Sequence, residues 1–240
     1  MPDIVGSEIK FIRLNEHDLI GQYLNVGSFE GHVLDAASGL LTNKAPGIVL
    51  DIGANMGSFT IPLAYHNPAF HFMAFEPQKM VYYQLCGNLA LNLVQNAATY
   101  NFGLGKTYAE MMIDVPDYRF ETNIGAFSLD EEVRRHDDYL CRTNGNLQQR
   151  IIIHTLDSLQ ISDIRLIKID VEGMELDVLM GGMETIKQNS YPPIVFEAWQ
   201  HKAWFAPRRA ELYAFLQDLG YEITCEGEDN YAIHKTEVIS

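Results

Sequence analysis

The stretch Ile48-Val-Leu-Asp-Ile-Gly-Ala-Asn-Met-Gly-Ser-Phe-Thr60 constrains the fold of this 240-residue chain more than any other. Residues 48–52 form a short apolar, β-branched run, the pattern of a buried strand. Gly53 and Gly57 bracket a turn, and residues 58–65 begin a helix. Strand, glycine-bracketed turn and helix N-terminus make a cradle for a nucleotide-like ligand. Glycine lets backbone approach closely, and free N–H groups point at the ligand. An ordinary βα turn is the plain alternative. The spacing narrows the choice of ligand. A dinucleotide fold uses G-x-G-x-x-G, but Asn55 and Ser58 stand where that pattern needs glycines, leaving Asp51-x-Gly53-x-x-x-Gly57.

A second carboxylate follows. Phe70-His-Phe-Met-Ala-Phe75 is another buried-strand run, and it ends at Glu76-Pro77. Nucleotide-binding βαβ units place a carboxylate for the ribose hydroxyls about 20 residues after the glycine turn, which is where Glu76 stands. Pro77 suits the first turn of the next helix.

Further along, apolar runs and helix-period stripes alternate. A helix reaches to about Leu93, strands follow at 97–102 and 150–154, and residues 107–115 form an added strand. Strand 166–170 ends in Asp170, a helix covers 174–187, and strand 193–197 ends in Glu197. A helix at 208–219 stops at Gly220, and two short strands then make a hairpin. Before the cradle, a strand at 8–14 and helices at 18–24 and 31–41 make residues 1–46 an N-terminal cap, with one domain at 47–240. The polar stretch 116–149 is long for a connection and reads as a lid or binding loop. Alternating β and α elements with apolar strands imply a mostly parallel sheet covered on both faces.

Charge and composition exclude several classes. With 17 basic and 32 acidic residues the net charge is −15, unsuited to a nucleic-acid substrate but compatible with a cationic ligand such as a sulfonium. The local basic clusters Arg134-Arg135-His136 and Arg208-Arg209 read as solvated faces. No run is long enough for a membrane span, and no signal peptide is evident. Three scattered cysteines (Cys86, Cys141, Cys225) without C-x-x-C point to a reducing, cytoplasmic setting.

Asp51, Glu76, Asp170 and Glu197 all sit at or near carboxyl ends of strands, so they line one rim of the sheet, where ligands of open α/β folds bind. The blocks around them, in order and spacing from about 47 to 200, resemble the FkbM family of S-adenosylmethionine (SAM)-dependent methyltransferases. They are residues 48–60, Ala74-Phe-Glu-Pro77, Thr155-Leu-Asp-Ser-Leu159, Leu166-Ile-Lys-Ile-Asp-Val-Glu-Gly-Met-Glu175 and Ile194-Val-Phe-Glu197. The K-I-D-V-E-G-x-E block is the most specific.

The resemblance implies a class I, seven-stranded Rossmann-like fold with a C-terminal antiparallel hairpin. It also implies methyl transfer to an oxygen of a glycan or small-molecule hydroxyl, with S-adenosylhomocysteine as product. It assigns Asp51, Gly53, Ala54, Asn55, Gly57 and Ser58 to the amino-acid part of SAM, Glu76 and Pro77 to the ribose, and the turn at 102–104, with Gly103, to the adenine. Asp170 then faces the transferring methyl.

An alcohol is a poor nucleophile, so a base near the donor is expected. Asp170 and Glu172 are the first choices among Asp170, Glu172, Glu197, His154 and His201, with His201 as the outside choice. Mg²⁺ held by Asp170, Glu172 and Glu197 is the alternative activator, which the resemblance does not require. Lys168 lies on the same side of its strand as Asp170, as a methyl-site group or as a partner of a carboxylate. Glu175 faces either the site or the helix dipole. An NAD(P)-dependent oxidoreductase and a non-catalytic binding module are the competing functions.

Overall fold

In the computed structural model, which describes residues 9–15, 30–119, 125–136 and 143–236, the apolar runs become the strands of one central sheet. The first half of the chain forms α1 (Gly31–Leu41), β1 (Ile48–Ile52), α2 (Thr60–His66), β2 (His71–Phe75), α3 (Lys79–Leu91), β3 (Ala97–Tyr100), β4 (Gly103–Leu104) and β5 (Ala109–Pro116). The second half forms α4 (Glu131–His136), β6 (Thr143–His154), β7 (Ile164–Ile169), α5 (Glu175–Met180), α6 (Met183–Gln188), β8 (Ile194–Glu197), α7 (Ala206–Asp218), β9 (Tyr221–Glu226) and β10 (Asp229–His234). Short 3₁₀ turns lie at Leu156–Leu159 and Ala203–Phe205.

The seven-stranded sheet has the order β3-β2-β1-β7-β8-β10-β9. Strands β1, β2, β3, β7 and β8 are parallel, and β10 is antiparallel to both of its neighbours, β8 and β9. The chain winds outward from β1 to β3 and then crosses to β7 on the other side of β1. The switch point of strand order therefore lies between β1 and β7. Register makes the rim level there: Ile52 lies beside Phe75 and Ile169, and Ile169 beside Phe196. The next residue of each strand, Gly53, Glu76, Asp170 or Glu197, reaches the same edge.

Alternation along the strands divides the core. Leu50, Ile52, Ile167, Ile169 and Phe196 face α5, α6 and α7, while Val49, Leu166 and Val195 face α1 and α2. Burying one such Leu or Phe contributes about 1.5–3 kcal/mol, so apolar packing behind the rim holds it in place.

Three expectations change. Residues 9–15 form no strand; Ile9 and Phe11 are buried against α3, and side-chain amides take up the backbone instead. Asn92 bonds both the N–H and the C=O of Lys10, Asn88 accepts from the N–H of Ile12, and Gln84 donates to its C=O. The expected helix at 18–24 lies outside the described residues. The expected helix at 174–187 is two helices, because the chain at Gly181 passes so close to Gly105 that an added Cβ would lie 2.0 Å from its carbonyl oxygen. The stretch 107–154 is not a strand, a loop and a strand of the main sheet. β4, β6 and β5 form a separate three-stranded sheet, and the long connection contains α4 and the start of β6.

Candidate active site

The glycine turn after β1 is tied to the end of β2. Gly53 has φ of 82°, and an added Cβ would lie 1.7 Å from the carbonyl oxygen of Asp170, so only glycine fits between the two strand ends. The N–H groups of Gly53 and Ala54 both donate to the carbonyl of Phe75, at 3.0 and 2.9 Å. Asn55 donates its N–H to Glu76 Oε2 (3.1 Å), and the N–H of Met56 goes to the Asn55 side chain. The turn amides expected to be free for a ligand are thus spent inside the protein, chiefly on β2 and the buried Glu76.

Glu76 is 5% exposed and receives a second backbone N–H, from Gln78, on Oε1 at 2.8 Å. Burial pushes its carboxyl up to about 7, against the two N–H bonds that favour the charge. Each oxygen retains a lone pair for a ligand hydroxyl. A pocket opens in front of it. Gly53, Asn55, Glu76, Pro77, Gly103 and Asp170 line this pocket, together with Leu104, Gln78, Glu172 and Met174. Gly125, Phe127 and Leu129, from the stretch read as a lid, also line it.

Asp51 is fully buried and is not among the lining residues. Its Oδ2 accepts from the Thr60 hydroxyl at 2.5 Å, and its Oδ1 lies 3.6 Å from Lys168 Nζ. Lys168 also donates to the Gly53 carbonyl (3.3 Å) and to Asp170 Oδ2 (3.1 Å), so one buried ammonium knits turn, β1 and β7 together. Burial opposes that charge, but Asp170, Asp51 and Glu30 outweigh it and raise the Lys168 pKa above its usual value. Ala54, Gly57 and Ser58 also lie behind the pocket surface; Gly57 packs against Ile61 and Leu85.

Beyond Asp170 the rim turns acidic. Carboxylate oxygens of Asp170, Glu172 and Glu197 all lie within 4.8 Å of one another. Burial, then Asp170 and Glu172, raise the Glu197 carboxyl well above its ordinary value. A smaller second pocket shares Asp170 with the first and adds Glu197, Glu30, Lys168 and Asp229. Burial followed by Asp170 pushes Glu30 up to about 7. The pairing of Glu197 with Asp229 across β8 and β10 brings the hairpin to this site.

Glu175 is 2% exposed and serves the loop, with Oε1 accepting the N–H groups of Val171 (3.2 Å) and Gly173 (3.1 Å). His201 lines neither pocket; it is exposed, with Nδ1 2.5 Å from Glu228. His154 packs edge-on against Phe102, 4.6 Å between ring centres, at the small sheet. Missed in the sequence were Glu30, Asp229 and the anchoring role of Arg208, which bonds Asp130 and Glu132 at 2.6 Å each rather than lying on a solvated face. No local pattern marks any of them.

This strand order, with a glycine turn and an acidic residue at the ends of adjacent strands, defines the class I fold of SAM-dependent methyltransferases. The precorrin-6y C5,15-methyltransferase of Geobacter metallireducens shares the fold, with a TM-score of 0.51 at 14% identity over 87% of this chain and 90% of that one. Residues 51–223 match the family described as the methyltransferase FkbM domain, and the chain belongs to that family. It is similar to methyltransferase sdnD of Sordaria araneosa, 27% identical over 85% of this chain and 83% of that protein. It is also similar to methyltransferase 1 of Beauveria bassiana, 24% identical over 75% of this chain and 74% of the other.

The pocket fits the donor's parts. Glu76 offers paired acceptors for two vicinal hydroxyls, the apolar Leu104, Phe127 and Leu129 offer faces for a flat base, and Asp170 and Glu172 lie at the other end. Among the described residues no helix is long and apolar enough to cross a membrane.

Proposed function

We propose that this methyltransferase transfers the methyl group of SAM to a hydroxyl oxygen of a sugar, glycan or small natural product. The observation that carries the reading is the carboxylate cluster Asp170, Glu172 and Glu197, placed where the donor pocket meets the smaller acidic pocket. In this assignment Glu76 and Pro77 hold the ribose, Gly103 and Leu104 border the adenine, and Gly53 and Asn55 border the amino-acid part. Asp51, Ala54, Gly57 and Ser58 act by shaping the turn.

SAM supplies the electrophilic methyl carbon and leaves as S-adenosylhomocysteine. The residues supply alignment and handling of the acceptor proton. Asp170, oriented by Lys168, or Glu172 beside it accepts that proton, a contribution of about 10²–10⁴-fold. His201, outside both pockets, has no part in this assignment. The acidic wall repels acceptors bearing carboxylate or phosphate near the reacting oxygen and suits neutral hydroxyl compounds. The same three carboxylates make a hard-oxygen set for Mg²⁺, but the base assignment operates without it.

Family membership removes the dinucleotide oxidoreductase from consideration. The reading includes residues 1–46 as a cap on a domain at 47–240, supported by the family match beginning at 51, and a cytoplasmic setting, supported by the free thiols of Cys86 and Cys225. The test is methyl transfer from isotopically labelled SAM to a panel of neutral glycosides and polyols, read by mass. Label on oxygen supports the proposal. Label on nitrogen or carbon of a control panel would overturn it, and SAM binding without transfer to any acceptor would favour a binding module.

A further inference from the structure

The side wall of the donor pocket is held from two sides. Phe127 and Leu129 reach the pocket from the stretch between β5 and β6 and pack against Ile113, Ile151 and Ile153 of the small sheet. The residues just after them are tightly fixed. The N–H of Asp130 donates to Ser128 Oγ at 3.2 Å, and Asp130 Oδ1 caps α4 by accepting the N–H of Glu132 at 2.8 Å. Arg134 reaches back to the Ser128 carbonyl (2.7 Å), with its guanidinium carbon 5.2 Å from the centre of the Phe127 ring. Val133 is fully buried and packs over Gly173, beside Trp199 and Phe205.

Arg208 of α7 closes this arrangement. Nη1 donates to Asp130 Oδ2 and Nη2 to Glu132 Oε2, both at 2.6 Å, so one planar fork grips the capping residue and the first turn of α4 together. Burial works against the charge of Asp130, yet Arg208 and the N–H of Glu132 outweigh it and hold the carboxyl below its ordinary value. The Arg208 side chain is 31% exposed and that of Asp130 25%, so this pair is less screened than a freely solvated one.

We propose that Arg208 is a positioning residue for methyl-donor binding: by gripping Asp130 and Glu132 it sets the place of Phe127 and Leu129 against the donor pocket. The proposal rests on the reading of that pocket as the SAM site. Arg208 touches no part of the pocket itself, so its effect passes through the wall. Calorimetric titration of the full chain with SAM, comparing wild type, Arg208→Ala, Arg208→Lys, Phe127→Ala and the Arg208→Ala/Phe127→Ala double variant, tests it.

Arg208→Ala should weaken SAM binding about tenfold, equivalent to about 1.4 kcal/mol. Arg208→Lys, which keeps the charge without the fork, should lose about threefold, and it carries the test if the alanine variant does not fold. The double variant should bind less weakly than the two single losses summed, because both changes act on the same wall. If wild type binds SAM and the Arg208 variants match it with only a lowered melting temperature, the proposal is overturned and the donor reading stands. It is also overturned if the Arg208 loss adds in full to that of Phe127→Ala. Wild type failing to bind SAM would overturn the donor reading and this proposal with it.

Discussion

The two halves of the rim use carboxylates in opposite ways. On the β2 side Glu76 sits among backbone donors, with the N–H groups of Asn55 and Gln78 on separate oxygens. On the β7 and β8 side Asp170, Glu172 and Glu197 face one another, with Glu30 and Asp229 behind them and Lys168 as the cation that lines the second pocket. Fixed donors hold one acceptor group in a single orientation, which suits the binding of hydroxyls. Facing carboxylates need a proton, a cation or an acceptor hydroxyl to relieve their repulsion, which suits proton transfer. The donor half is therefore expected to govern affinity and the acidic half turnover.

The largest effect should come from Asp170→Asn, which keeps the shape and removes the charge. Turnover should fall by about 10²–10⁴-fold, with the calorimetric affinity for SAM changed less than about threefold. Equal loss of both would place Asp170 in the donor half. Glu76→Ala should do the reverse and weaken SAM binding by about a hundredfold. It removes the proposed ribose partner and also leaves two buried N–H groups without an acceptor. Unchanged affinity in a folded variant would dissolve the distinction between the halves.

A smaller effect is expected on stability against pH. The folded-state pKa of the buried Glu175 is raised from 4.5 to about 7 by burial, so the folded state binds the proton more tightly than the unfolded chain does. The stability this group contributes is fully present below about pH 4.5 and is lost as pH rises through about 7. Thermal melts of wild type should therefore fall between pH 5 and pH 8. Glu175→Gln, neutral throughout, should show a shallower fall, and an identical slope would mean that Glu175 is charged across the whole range.

The smallest expected effect is that of EDTA, which should leave activity unchanged. A loss restored by Mg²⁺ would turn the acidic half from a base into a cation site.

Much of this contrast was legible residue by residue. Residues 48–52 and 70–75 announced their strands by apolar, β-branched composition, and the polar residues after them had to reach one edge because parallel strands end together. Lys168 was legible as a neighbour of Asp170 through the period of two. The break at Gly181 was not, because it depends on how close Gly105 comes from another part of the chain. Helical periodicity runs straight across the pair of glycines and does not record that approach. The basic residue Arg208 looked like any solvated charge, since its partners lie 78 and 76 positions away.

The linear chain was sufficient for the cradle, the level rim with its strand-end acids, and the family to which these belong. Each depends on a pattern of a few neighbouring residues or on the common direction of parallel strands. The contrast between the two halves of that rim came from folding alone. The turn amides turned inward to a buried Glu76, and Glu30 and Asp229 arrived from α1's leading end and from the hairpin to make Asp170 part of an acidic chamber. Charge and burial act through space, over distances that sequence separation does not measure, so the chemistry of these carboxylates was settled only by the neighbours that packing gave them.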